Sequence, residues 1–237
     1  MQYSTFAAID IGSYDVILEI FEISKKQGIR SVDKICHRME LGKDTYTLGK
    51  IRPEMEEELC RVLADFVRIM EGYRVDAYRA MASSAISEAA NSLYVLGKIR
   101  QLTGLSVTVL SNSEQRFLGY KALAAMEDNF NKIIEKGTAI LDLDGGSFQI
   151  SLFDKDALVT TQNIRMGSLR IRERLAGIQS ETEQYEEMVE ELIWNEVSSF
   201  KKMYLKDRKI ENIKLIGDVF TDSVYHNIEE KTTKIIS

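Results

Sequence analysis

The chain has 237 residues, 44% of them hydrophobic and 29% charged, with a net charge of −6. That composition suits a globular protein with a real core and room for two modest domains, and its acidic balance argues against a general nucleic-acid binder, which needs surplus Lys and Arg. Two cysteines, Cys36 and Cys60, and two distant histidines, His37 and His226, exclude a disulfide framework and a His-based zinc cluster, argue against a Ser-His-Asp triad, and suggest a reducing compartment.

Tyr3–Asp10, Val16–Ile23 and Ile29–Leu41 are β-branched and alternating, which predicts three successive strands with turns at Gly12–Ser13 and Lys25–Gly28. Asp10, Asp15 and Glu19 interrupt the apolar run, so it is too acidic for a signal peptide or membrane span. A cytoplasmic protein with no membrane partner is expected. Leu41–Arg52 carries Gly42 and Gly49 without a clear period and reads as a loop. Pro53 then opens a helix, with Glu54, Glu56, Glu57 and Glu58 near its positive end and Met55, Leu59, Val62, Leu63, Phe66, Ile69 and Met70 at helical spacing. Next come a strand at Arg74–Met81, a loop at Ala82–Ser84, a helix at Ala85–Leu102, a strand at Ser106–Leu110 and a helix at Ser111–Ala125 capped by Ser111 or Asn112. The first half reads β-β-β-α-β-α-β-α. Polar Glu127–Gly137 is the expected connection, giving domains at 1–127 and 128–237.

The second half repeats the scheme. Strands are expected at Thr138–Asp144, Phe148–Phe153, Ala157–Arg165 and Ile213–Ile216, and helices at Ser168–Leu175, Glu181–Tyr204 and from Thr221 to Ile228. A last strand and helix of the first half have no counterpart here, so this domain is expected to be incomplete. Either the chain is a fragment or the domain is short.

Two stretches organise the chain. Phe6–Phe21, FAAIDIGSYDVILEIF, and Thr138–Phe153, TAILDLDGGSFQISLF, each give a strand ending on an acid, a tight Gly/Ser turn and a second strand. An acid at a strand end holds a hydrated cation, and small turn residues let backbone N–H groups approach phosphate oxygens. One such hairpin alone is an ordinary Gly-turn hairpin. A pair half a chain apart implies two similar domains facing each other.

Duplicated β-β-β-α-β-α-β-α with an acid-tipped turn after each first strand resembles the sugar kinase–chaperone–actin superfamily: an α/β chain of two actin-like (ribonuclease H-like) domains with a cleft between them. Within it, AIDIGS (8–13), ASSAISEAAN (82–91), LSNSEQRFLGY (110–120) and LDLDGGSFQISLF (141–153) resemble the exopolyphosphatase / guanosine pentaphosphate phosphohydrolase (Ppx/GppA) family. NIRMGSLRIRERL (163–175) and LIGDVFT (215–221) give weaker support. The resemblance implies cleavage of the terminal phosphoanhydride of inorganic polyphosphate or guanosine pentaphosphate. It implies a divalent cation, Mg²⁺, held by Asp10 and Asp142. Gly12 and Ser13 would bind phosphate on one side, and Gly145, Gly146 and Ser147 on the other. A glutamate near the start of the helix after Ser111 would activate water, and an arginine after Ala82–Ser84 would neutralise the transferring group. Polyphosphate or guanosine pentaphosphate is the implied partner, with no nucleic acid; a homodimer stays open.

Departures from the family pattern fall on the chemistry. Ser13 is followed by Tyr14 and Asp15 in place of Asn-Ser. The second turn reads Asp-Leu-Asp-Gly-Gly-Ser-Phe-Gln from Asp142 to Gln149, in place of Asp-x-Gly-Gly-Gly-Ser-Thr-Glu. The arginine position is Ser87 and the base position is Gln115, whose amide cannot accept a proton; losing a base costs roughly 10²–10⁴ in rate. Glu114, one residue away, points about 100° elsewhere on a helix and is the alternative base. Asp15 and Asp144 either add metal ligands or cap turns. Arg165, Arg170, Arg172 and Arg174 either receive an extended anion or form a solvated helix end. Three functions follow: a Mg²⁺-dependent phosphoanhydride hydrolase using Glu114 or Gln115; an impaired member that senses polyphosphate or a guanine alarmone; and, more remotely, a nucleotide or sugar binder, although 215–221 lacks the glycine pair of an adenosine pocket.

Overall fold

A computed structural model describes residues 3–127, 129–176, 183–205 and 208–217. The chain divides into two compact units, Met1–Arg116 and Phe117–Ser237, a division that falls inside one helix and ahead of the 127–137 run.

The first unit begins with β1 (Ser4–Ile11), β2 (Asp15–Ser24) and β3 (Gly28–Arg38). β1 and β2 pair antiparallel, as do β2 and β3; β4 (Ala77–Ala82) joins β1 in parallel and β5 (Val107–Val109) joins β4, giving the order β3-β2-β1-β4-β5. Alternation sends Ala7, Ile9, Ile11, Val16, Leu18 and Ile20 into the core, because a strand's side chains point to opposite faces in turn. α2 (Pro53–Gly72) covers that face with Leu59, Leu63, Phe66 and Met70. Its start is set by Pro53 at the first helical position, where the missing N–H has no partner to lose. Leucines and phenylalanines buried this way stabilise by about 1.5–3 kcal/mol each.

Two segments differ from expectation. Residues 41–52, expected as a loop, contain α1 (Leu41–Leu48). Its anchors are tertiary: Gly42 N–H donates to Ser13 O at 3.0 Å, and the buried Asp44 carboxylate accepts from Arg52 N at 2.9 Å and Arg52 Nε at 2.9 Å. Gly49, left-handed at φ 70°, ends it. The single helix expected over 85–102 is broken into α3 (Ser84–Ser87) and α4 (Ser92–Thr103). Asn91 interrupts it by exchanging hydrogen bonds with Ile51 backbone (3.0 and 2.8 Å) and donating to Glu56 at 2.8 Å.

α5 (Asn112–Met126) leads into the second unit, followed by a short α6 (Phe130–Ile134) within the expected connection. β6 (Thr138–Leu143), β7 (Phe148–Asp154) and β8 (Ala157–Ile164) form an antiparallel meander, and β9 (Asn212–Ile216) joins β6 in parallel, in the order β8-β7-β6-β9. Between β8 and β9 come α7 (Ser168–Arg174) and α8 (Glu183–Tyr204). β7 is buried on both faces: Phe148, Ile150 and Leu152 pack with Phe200 of α8, while Phe153 packs with Leu123 of α5 and Ile140. Among the described residues this sheet has four strands where the first has five. The helix expected over 221–228 lies outside the described residues. No described helix is long and apolar enough to cross a membrane.

The duplication holds at residue level. Asp10 on β1 pairs with Ile17 on the antiparallel side and Met81 on the parallel side. Asp142 on β6 pairs with Gln149 and Ile216 in the same two senses.

Candidate functional site

In the first unit Asp10 is exposed near the end of β1, while Gly12 and Ser13 are buried in the turn that follows. Gly12 N–H is already engaged, donating to Asp15 O at 2.9 Å. Ser13 is 0% exposed, and its hydroxyl lies 2.7 Å from Tyr46 OH and 3.5 Å from Ser84 Oγ. Tyr46 OH in turn lies 2.8 Å from Ser84 Oγ. The β1–β2 turn, α1 and α3 are thus joined by three hydroxyls. Ser87, which the sequence resemblance sets against an arginine, ends α3 and is exposed. Nothing local in the sequence marks Tyr46, which sits in the segment that lacks a period.

At the start of α5, Glu114 is exposed and Gln115 half-buried. Glu114 Oε2 accepts from Ser111 N at 2.9 Å and Ser111 Oγ at 2.7 Å, and Glu114 N–H lies 3.3 Å from Ser111 Oγ. This reciprocal arrangement is a capping box, settling the cap on Ser111. The backbone and side-chain hydrogen bonds from Ser111 hold the Glu114 carboxyl below its usual range, which weakens it as a base. The Ser-x-x-Glu spacing from Ser111 to Glu114 was the available signal.

In the second unit the turn 143–147 is built by backbone approach. Gly167 passes so close that an added Cβ would lie 2.4 Å from Asp144 O and from Gly145 C, and one at Gly217, with φ +127°, would lie 1.9 Å from Leu143 O. Asp144 N donates to Ser147 O at 3.0 Å, Gly145 N to Asp144 Oδ1 at 2.5 Å, and Ser168 N to Asp144 O at 3.2 Å. Gly145, Gly146 and Ser147 are all buried. Arg170, from the expected arginine cluster, is tied to this turn: its N–H donates to Gly145 O at 3.2 Å and its Nε to Gly146 O at 2.7 Å. Arg172 pairs with Glu173 at 3.1 Å.

Asp142 is half-buried, and burial followed by the nearby negative Asp144 pushes its carboxyl up to about 6. Register aligns Asp142, Gln149 and Asn163 in one row across β6, β7 and β8, on one face of the sheet. Gln149 is 4% exposed, and neither its Oε1 nor Asn163 Oδ1 has a hydrogen-bond partner among the described residues. Sequence marks Gln149 as a departure from the family pattern but gives no sign of Asn163, which only strand register brings alongside. Oxygen donors beside a carboxyl that resists ionisation fit a hard divalent cation, which relieves the charge and keeps several waters. Among the described residues no three His, Cys, Asp or Glu side chains converge as a full cage.

The Ppx/GppA phosphatase family model matches residues 19–236. The chain belongs to that family. It is 22% identical to a bifunctional 3-dehydroquinate synthase/phosphatase of Fusobacterium nucleatum over 95% of this chain and 34% of that protein. It is 26% identical to exopolyphosphatase 1 of Mycobacterium leprae over 60% of this chain and 41% of that protein. This family member therefore spans about a third to two-fifths of the length of these curated relatives. A crystal structure of an exopolyphosphatase from Cytophaga hutchinsonii superposes with a TM-score of 0.75 at 19% identity, covering 98% of this chain and 72% of that one. The fold is thus the two-domain actin-like α/β fold that the duplicated hairpins imply.

Proposed function

We propose that this Ppx/GppA chain binds the phosphate backbone of inorganic polyphosphate or guanosine pentaphosphate and slowly hydrolyses its terminal phosphoanhydride with Mg²⁺. The observation that carries the reading is the second turn, where burial and then the nearby Asp144 charge raise Asp142 to about 6, next to the buried backbone of Gly145, Gly146 and Ser147. Asp142 holds the cation, with Asp10 as the equivalent acid of the first unit. When bound, Mg²⁺ neutralises phosphate charge and orients the terminal group. Gly146 and Ser147 supply turn donors to phosphate oxygens, and Ser13 supplies a hydroxyl. Gln115 positions water without accepting its proton, and Glu114 is the group that can take one.

A second reading, a polyphosphate or alarmone sensor, is favoured by one specific observation: Glu114 is engaged in the Ser111 cap and held below its usual range. With Gln115 and Ser87 at the base and arginine positions, such a protein keeps the cradle and loses turnover.

Phosphate release from long-chain polyphosphate with Mg²⁺, followed for wild type, Glu114→Ala, Gln115→Glu and Ser87→Arg, separates the two. Turnover by wild type that Glu114→Ala abolishes supports the hydrolase. A silent wild type that binds polyphosphate, with activity restored by the two back-substitutions, supports the sensor and overturns the hydrolase.

A further inference from the structure

A hydroxyl that is wholly shielded from solvent cannot donate to a ligand until something moves. Ser13 is in that position, at 0% exposure, and Ser84 nearly so at 6%. The half-buried Tyr46 phenol bridges both, at 2.7 Å and 2.8 Å. A phosphate oxygen received by Ser13 and Ser84 would stand where that phenol oxygen stands, since it would accept from the same two hydroxyls at the same distances.

We infer that Tyr46 occupies the phosphate position of the first turn and sets how tightly that turn takes a phosphate oxygen. The inference rests on the phosphate-binding reading of the turn given above. α1 itself is well anchored: Thr45 Oγ1 donates to Ala85 O at 2.6 Å, Gly42 N to Ser13 O at 3.0 Å, and Asp44 holds Arg52 at 2.9 Å. The moving part is therefore the Tyr46 side chain, which leaves by rotation about its own χ angles while the helix stays. Each hydroxyl carries a single proton, so while Ser13 or Ser84 donates to the phenol that proton is withheld from an anion. Binding exchanges these hydrogen bonds for charge-assisted ones, which are about twice as strong, but only after the phenol has withdrawn.

The test is calorimetric titration of the purified chain with inorganic tripolyphosphate in Mg²⁺, for wild type, Tyr46→Ala and Tyr46→Phe, with circular dichroism melts to verify folding. Tyr46→Ala is expected to tighten binding about tenfold, the worth of one to two ordinary hydrogen bonds no longer broken. Tyr46→Phe keeps the ring but releases both hydroxyls from the phenol, and should tighten binding by a smaller factor; it also covers the case in which the alanine variant fails to fold. Adding Ser13→Ala to either variant should erase the gain. Unchanged or weaker binding by both variants, with wild type binding measurably, overturns the inference and leaves the phosphate reading standing. No binding by any folded variant or by wild type overturns both.

Discussion

Replacing Asp142 with asparagine keeps the side chain's shape and removes its charge. Burial and the neighbouring Asp144 raise the Asp142 carboxyl from 3.8 to about 6. At 1.36 kcal/mol per pH unit, that rise penalises the ionised form by about 3 kcal/mol. The sign follows from proton linkage. Between pH 3.8 and about 6 the folded chain binds the Asp142 proton more tightly than the unfolded chain, so stability is fully present below that window and falls as pH rises through it. The asparagine amide resembles the neutral acid and escapes the loss. In chelator, urea denaturation of the two proteins should differ by about 1 kcal/mol at pH 4.5 and about 3 kcal/mol at pH 7.5, with Asp142→Asn the more stable. Carboxylates remote from Asp142, unlike the coupled Asp144, titrate alike in both proteins and cancel in the difference. Millimolar Mg²⁺ at pH 7.5 should stabilise wild type more than Asp142→Asn, which keeps the Asp144 charge but loses that of Asp142. A difference that does not vary with pH, or an asparagine variant less stable at pH 7.5, refutes the reasoning.

Gly217→Ala should destabilise the second unit by about 3 kcal/mol or more in thermal melts, since its Cβ would sit 1.9 Å from Leu143 O at φ +127°. Gly167→Ala should do the same for the turn through its 2.4 Å approach to Asp144 O; a variant that melts like wild type would contradict the close packing. Ser111→Ala removes the hydrogen bonds that depress Glu114, so NMR titration should find the Glu114 carboxyl moved up toward its ordinary value. That depressed carboxyl favours the fold above the usual glutamate range, and its contribution is lost on acidification; an unmoved titration would refute the capping account. Asp44→Ala strips the buried acceptor from Arg52 N and Nε and should cost about 2 kcal/mol by urea denaturation, with loss of the Tyr46 contact as α1 loosens.

Glu114 illustrates how far residues can be read in isolation. Its place beside Gln115 at a helix start was legible, and so was the Ser-x-x-Glu spacing. That the cap holds Glu114's carboxyl depends on the first turn of α5, which brings it to Ser111 N and Oγ. The break between α3 and α4 was illegible because Asn91 reaches Ile51 and Glu56, 40 and 35 residues back in the chain. α1 has no local signature for the same reason, since Ser13 and Arg52 anchor a segment with no periodicity of its own.

Local pattern alone determined the duplicated acid-tipped hairpins, the succession of strands along each half and the family resemblance, because alternation and glycine turns act over a few neighbouring residues. Only the tertiary structure decided which side chains meet: Asp142, Gln149 and Asn163 in one row through strand register, and Ser13 beneath Tyr46 across a separation of 33 residues. Such meetings depend on the folding of the intervening chain, and no window of sequence contains them.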